Sequence, residues 1–382
     1  YPLRRQRQMC IRDSWWVDEI PRLACLPWGS QVLRNVSERK PTRVGAPAAN
    51  DSRDRSMVLT PTMKGSVILT HVVNPFFAPG DEHARAVRMT LASLGLARAY
   101  AEASGLRIQQ LAAVFPTDRG VVANLSNAQG IQEVALVGDL KALLPAVRHP
   151  HTLPLLRAIL RAGYEHGIGE FLMYSNIDIA LQEVAYVQLA RLLIRQPLVP
   201  ISAVREEFEH ASSNFNLTDA ARLRGHGLPH PGHDLWAFPR KWVADLQLRD
   251  VALGVSLVAT ALNLALYARS GCRLTQLSRR ISFHVVEGES VVKHKWLQRA
   301  RNDPIFKETY TAFNCVQVKL QLAAILNSTS NFHRCWIGQQ VAKAMRAYKC
   351  AKNVASLPSL ALRLAWDAPQ PALINAFPML AT

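Results

Sequence analysis

The sequence predicts an α/β protein: a mostly parallel open sheet flanked by helices, with a helical and basic C-terminal extension. Three observations carry this. Short apolar runs of strand length alternate with longer segments whose apolar residues recur at helical spacing. The strand-like runs end in polar residues, where open α/β sheets present their ligand-binding crevice. And 382 residues at 49% hydrophobic content allow a large core, in one big domain or two.

Taken in order, residues 1–64 mix Arg, Pro, Ser and Asp without periodicity and read as a disordered or artefactual leader. Met9 to Ser14 resembles a translated sequencing adapter, which places the expected start near Met57 or Met63. A first strand follows in Ser66 to Val73, broken at Asn74-Pro75, with His71 and Asn74 towards its polar end. Asp81 is placed to cap the next helix, whose apolar positions Val87, Leu91, Leu94, Ala97 and Ala101 share one face. Leu106 to Phe115 reads as the second strand. Ile131 to Ala146 is apolar with unclear period, and Leu153 to Ala162 reads as a helix closed by the Gly163 to Gly169 segment.

Phe171 to Tyr174 is the most strand-like run, and Ser175, Asn176 and Asp178 follow it at once. If the chain stays extended there, Asn176 and Asp178 project to the same side. Two oxygen-bearing side chains so placed suit a hard divalent cation. The plain structural alternative is a strand followed by an Asp cap. A helix is expected from Leu181 to Ile194, then a strand over Leu198 to Val204 that delivers Arg205 and Glu206 to its end. In His230 to Arg240, two histidines flank Pro231-Gly232, Asp234 follows, and Leu235 to Phe238 is strand-like. The structural alternative makes Pro231-Gly232 a hairpin turn and Trp236 a core residue. Domain boundaries are expected at 65–297 for the sheet domain and 298–382 for the extension.

Net charge is +17, which favours anionic partners. Much of that excess lies in the terminal segments, so it says little about the centre, and nucleic acid is not the expected partner. The longest uncharged run, Val251 to Ala268, is diluted by Gly254, Ser256, Thr260 and Asn263 and fits a buried helix rather than a membrane span. The six cysteines show no C-x-x-C pair, arguing against structural zinc and a dense disulfide framework. A reducing, cytoplasmic compartment is the simpler inference, although N-x-[ST] triplets at Asn35, Asn50, Asn124, Asn216 and Asn327 leave a secretory lumen open. Neither a G-x-G-x-x-G nor a P-loop signature is present.

In order and spacing, Thr70 to Phe76, Tyr174 to Ile179 and His230 to Phe238 together resemble the GT-A-like nucleotide-diphospho-sugar transferases. The resemblance covers about residues 66 to 296. It implies a UDP- or GDP-sugar lying across the first strand ends, its diphosphate bridged through Mn²⁺ or Mg²⁺ by a D-x-D-type motif. Asn176-Ile177-Asp178 stands at that position, with Asn in place of the first acid. By the same resemblance, His284 is a second metal ligand by order along the chain. Asp234 is the acceptor-side carboxylate, as general base or hydroxyl contact. Arg205 is a diphosphate or sugar contact, with an ion pair to Glu206 or Glu207 as the structural alternative. His71 and Asn74 are candidate nucleotide contacts, and Trp236 or Phe238 offers an apolar face for a sugar ring. The expected activity is glycosyl transfer to an unidentified acceptor hydroxyl. The alternatives are a nucleotidyltransferase and a non-catalytic binding protein, either a degenerate sugar-nucleotide fold or a basic module for nucleic acid or membrane.

Overall fold

The computed structural model describes residues 67–76, 81–122, 130–138, 143, 153–210, 228–271, 273–277, 281–287, 304–328 and 350. The leader and most of the predicted extension lie outside them.

The strands are β1 (Val67–Val73), β2 (Arg107–Val114), β3 (Ile131–Ala135), β4 (Phe171–Ser175), β5 (Ala180–Leu181), β6 (Ile201–His210), β7 (Leu228–Pro239), β8 (Thr275–Leu277) and β9 (Ser282–Glu287). They form one sheet in the order β3-β2-β1-β4-β7-β6-β9-β5, with β8 paired to β6. β1 to β4 run parallel, β7 enters antiparallel between β4 and β6, and β8 and β9 again run parallel to β6. The sheet is therefore mostly parallel, as the sequence predicts. The helices are α1 (Asp81–Ala103), α2 (Leu156–His166), α3 (Ala185–Arg195), α4 (Val258–Ser270) and α5 (Pro304–Ser328).

Side chains alternate across a strand, and here the alternation sorts the core into two layers. Leu69 and Val73 of β1, Met173 of β4 and Leu235 of β7 meet α1 and α3 on one face. Val72, Leu172, Tyr174, Trp236 and Phe238 meet α2, α4 and α5 on the other. β4 is buried along its whole length, as expected of a central strand covered on both sides.

Three departures from the sequence reading have local causes. The uncharged run begins a helix only at Val258, because Gly254 (φ 78°) and Leu257 (φ 77°) adopt left-handed backbone just before it. Backbone groups of that irregular stretch find partners on α5: Ala252 N–H donates to Asn314 Oδ1 at 2.8 Å, and Asn314 Nδ2 donates to the carbonyls of Ala252 (3.0 Å) and Ser256 (2.8 Å). Second, Pro231-Gly232 makes no hairpin turn. It lies inside β7, whose pairing with β6 slips by bulges around Val204. Third, α5 begins at Pro304 and buries Ala312, Val316, Val318, Leu322 and Ile325 in the same cluster as α4, so this part of the expected extension shares the core of the sheet domain.

α2 packs close to the sheet through glycine. A Cβ on Gly163 would meet Leu172 Cδ1 at 2.8 Å and Val72 Cγ1 at 3.1 Å. At Gly169, leading into β4, a Cβ would lie 2.6 Å from the backbone nitrogen of Thr70. Cys315 of α5 and Cys350 form a disulfide, Cα atoms 5.6 Å apart. No described helix is long and apolar enough to cross a membrane.

Candidate functional site

β4 ends at Ser175, level with Leu235 of antiparallel β7 and Ala203 of β6, and β6 and β9 run on parallel past that point. That topology brings together residues far apart in sequence: Asn176 and Asp178 after β4, Arg205 and Glu207 on β6, His230, His233 and Asp234 on β7, and His284 on β9.

Asp234 is the centre of the cluster. Its side chain is 9% exposed, and Arg205 Nη1 donates to its Oδ2 at 2.7 Å. Asn176 Nδ2 donates to its Oδ1 at 2.8 Å, and Tyr174 O–H donates to Asn176 Oδ1 at 2.9 Å. The main chain joins in, with Asn176 N–H donating to the Asp234 carbonyl at 3.1 Å. The other arm of the guanidinium, Nη2, donates to Glu207 Oε1 at 3.1 Å and approaches His230 Nε2 at 3.5 Å. Burial alone pushes the Arg205 pKa down, but Asp234, Asp178 and Glu207 together outweigh it and hold the guanidinium charged. So Glu207, rather than Glu206, is the second carboxylate on Arg205.

Asp178 stands apart. Ile179 N–H donates to the Asn176 carbonyl at 3.2 Å, so residues 176–179 turn instead of continuing extended. The expected common side for Asn176 and Asp178 is lost at that turn. Asp178 is 46% exposed and faces His284, its Oδ2 3.9 Å from Nε2. Burial lowers the His284 pKa, against the opposing pull of Asp178, so the imidazole is neutral and keeps a lone pair. Its Nδ1 is buried without a hydrogen-bond partner. Among the described residues no three His, Cys, Asp or Glu side chains cluster as a complete cation site.

Other predicted residues turn inwards. His71 is 1% exposed, with Nδ1 2.7 Å from Tyr186 Oη and Nε2 2.9 Å from Ser175 Oγ. With both ring nitrogens engaged, it ties β1 to β4 and α3 and offers no edge to a nucleotide. Asn74 Nδ2 donates to the Ala113 carbonyl at 2.6 Å, binding the end of β1 to β2. Trp236 and Phe238 are core residues, so neither presents a ring to a sugar. Trp236 stacks on Tyr174 at 5.8 Å and donates from Nε1 to Asn263 Oδ1 at 2.8 Å. A cavity of about 220 Å³ lined by Arg157, Gln247, Arg249 and Gln321, among others, shares no residue with the polar cluster.

Strand order, strand direction and two helical layers make this an α/β fold, a mostly parallel open sheet flanked by helices. No family model and no curated protein sequence matches the chain. Among solved structures, the chain is similar to residues 1–349 of TarS from S. aureus, at 10% identity over 82% of this chain and 81% of that one, with a TM-score of 0.47. TarS 1–349 in complex with UDP-GlcNAc matches at 11% identity, 82% and 90% coverage and a TM-score of 0.42. The glucosyl-3-phosphoglycerate synthase of Mycobacterium tuberculosis, in complex with Mn²⁺, UDP and glucosyl-3-phosphoglycerate, matches at 12%, covering 69% and 81%, with a TM-score of 0.37. At such identities and TM-scores the likeness carries no argument, and the residues of this chain carry the one about its site.

Of the predicted residues, Asn176, Asp178, Arg205, Asp234 and His284 meet at one edge. Tyr174 and Glu207 belong with them, and sequence reasoning gave neither a site role. The signal for Glu207 was its place two residues after Arg205, which puts both on one face of β6 once the strand is seen to run on to His210.

Proposed function

We propose that the chain is a glycosyltransferase that moves a sugar from a nucleoside-diphosphate donor to an acceptor hydroxyl. The observation that carries this is Asp234, a carboxylate held by Arg205 and Asn176 at the same sheet edge as Asp178 and His284. In this reading the hydroxyl oxygen attacks the anomeric carbon and the bond to the diphosphate oxygen breaks. The nucleoside diphosphate leaves with the electron pair, and the hydroxyl proton passes to Asp234. Both carboxylate oxygens already accept one hydrogen bond each, and each retains lone-pair capacity for the acceptor.

Asp178, the acidic position of the Asn176-Ile177-Asp178 motif, and neutral His284 are the residues that would hold Mn²⁺ or Mg²⁺. A half-exposed carboxylate beside an imidazole with a free lone pair fits part of such a cation's shell, leaving further positions to phosphate oxygens and water. When bound, such a cation would supply positive charge beside the leaving diphosphate. Arg205 is turned to Asp234 and Glu207, so its part is to fix the base rather than to grip the donor.

The test is a thermal-shift screen of UDP- and GDP-sugars with and without Mn²⁺. A ligand of the native state at a hundredfold excess over its Kd stabilises by about 2.7 kcal/mol, which a melting curve resolves. Asp178→Ala should abolish the shift. A wild-type protein that no sugar nucleotide stabilises, with or without metal, would refute the reading. A shift without any donor turnover would favour a binding protein on the same fold.

A further inference from the structure

Resting on the transferase reading, the hydrogen bonds around Asn176 separate it from the metal side of the site. Asp234 as a carboxylate only accepts, so the Asn176 group facing it must be the amide N–H, 2.8 Å away. That fixes the amide, and its carbonyl oxygen therefore points to the Tyr174 hydroxyl, which donates to it at 2.9 Å. Tyr174 is itself immobile: 1% exposed, on a fully buried strand, with its ring stacked on Trp236. Period-two alternation puts Tyr174 and Asn176 on one face, the face of Trp236 and Asp234 on β7. Asp178, beyond the turn, faces His284 instead, its Oδ2 3.9 Å from Nε2.

We propose that Asn176 is a positioning residue for Asp234, oriented by Tyr174, and that it is not a ligand of any metal in the site. The Asn in an otherwise acidic motif is then no weakened ligand. It is the donor that a second carboxylate could not be, since Asp at 176 would set two acceptors against each other.

Calorimetric titration of the full chain with UDP in the presence of Mn²⁺ separates the two roles, using wild type, Asn176→Ala, Asn176→Asp, Tyr174→Phe and Asp178→Ala. Both Asn176 variants should keep UDP affinity within about threefold of wild type, while Asp178→Ala weakens it about tenfold or more. Steady-state hydrolysis of the sugar nucleotide giving the largest wild-type shift supplies the second readout. There kcat should fall about tenfold or more in both Asn176 variants with KM nearly unchanged, because a misaimed base costs rate and not binding. Tyr174→Phe keeps the ring on Trp236 and removes only the hydroxyl, so it should lower kcat in the same direction by less. If Asn176→Asp tightens the Mn²⁺-dependent affinity, or Asn176→Ala loses as much as Asp178→Ala, Asn176 is a ligand and the proposal falls. Wild type that binds no sugar nucleotide sinks the transferase reading and this inference with it. A binding-competent wild type with ligand-like Asn176 variants sinks this inference alone.

Discussion

At the scale of single residues, the cluster stores its charge in one buried group. Arg205 is 16% exposed and holds two carboxylates, so Arg205→Ala leaves Asp234 without its ionic partner at the sheet edge. Breaking a buried pair from one side should lower unfolding free energy by about 3 kcal/mol, read from urea denaturation. His71 makes the opposite kind of prediction. Burial drives its pKa from 6.5 down to about 3, so the folded chain carries it neutral where the unfolded chain takes up a proton. Stability present at neutral pH is therefore lost as pH falls below 6.5 towards 3, at about 1.4 kcal/mol per pH unit. Unfolding curves at pH 7 and pH 5 should show this slope, and His71→Gln should lack that share of it. These two residues also mark what the sequence did and did not reveal. A polar residue in or beside a strand was legible at both positions, though Arg205, expected just past a strand, lies inside β6. Whether it faces the site or the helix layer depends on β-strand phase and on which helix covers it, and Tyr186, the partner that captures His71, lies 115 residues away.

At the scale of elements, the close seat of α2 and its loop against the sheet depends on two glycines. Gly169→Ala would drive a methyl group into the Thr70 backbone, which cannot yield as a side chain would. Overpacking there should destabilise by about 2 kcal/mol or more. Gly95, inside α1, is the counterpart: a Cβ there meets nothing within 4 Å, and Gly95→Ala should add about 1 kcal/mol through helix propensity. Differential scanning calorimetry of both variants checks the contrast. Elements were the most legible scale. Apolar period alone located β1, β2, β4 and α1, because each has one uninterrupted pattern and a Pro or Gly at its border. It misjudged the stretch at 251–257, where left-handed backbone delays the helix and a side chain 62 residues on supplies the hydrogen bonds. It misjudged Pro231-Gly232 as well, since a turn signal and a bulge signal share the same residues.

At the scale of the whole molecule, the Cys315–Cys350 bond spans a sequence separation of 35 and fastens the chain beyond α5 to the helix that completes the core. Loop closure of that length should stabilise the native state by about 4 kcal/mol, lost on reduction and in Cys350→Ser. Free-thiol titration before and after unfolding, with denaturation midpoints under reducing and oxidising conditions, measures it. The pairing was not legible because spacing carries no geometry: only the fold brings those two Cα atoms within bonding range. The sheet class, by contrast, followed from alternation of strand and helix, though not the reversal of β7. That reversal has a bearing on how such a site changes over time. Arg205, Glu207, His230, His233 and Asp234 all sit on β6 and β7, two neighbouring antiparallel strands that are successive in the chain, so one stretch of sequence carries all five. Recombination at one pair of breakpoints would replace Arg205 and Asp234 together while Asp178, His284 and the parallel half of the sheet stay as they are.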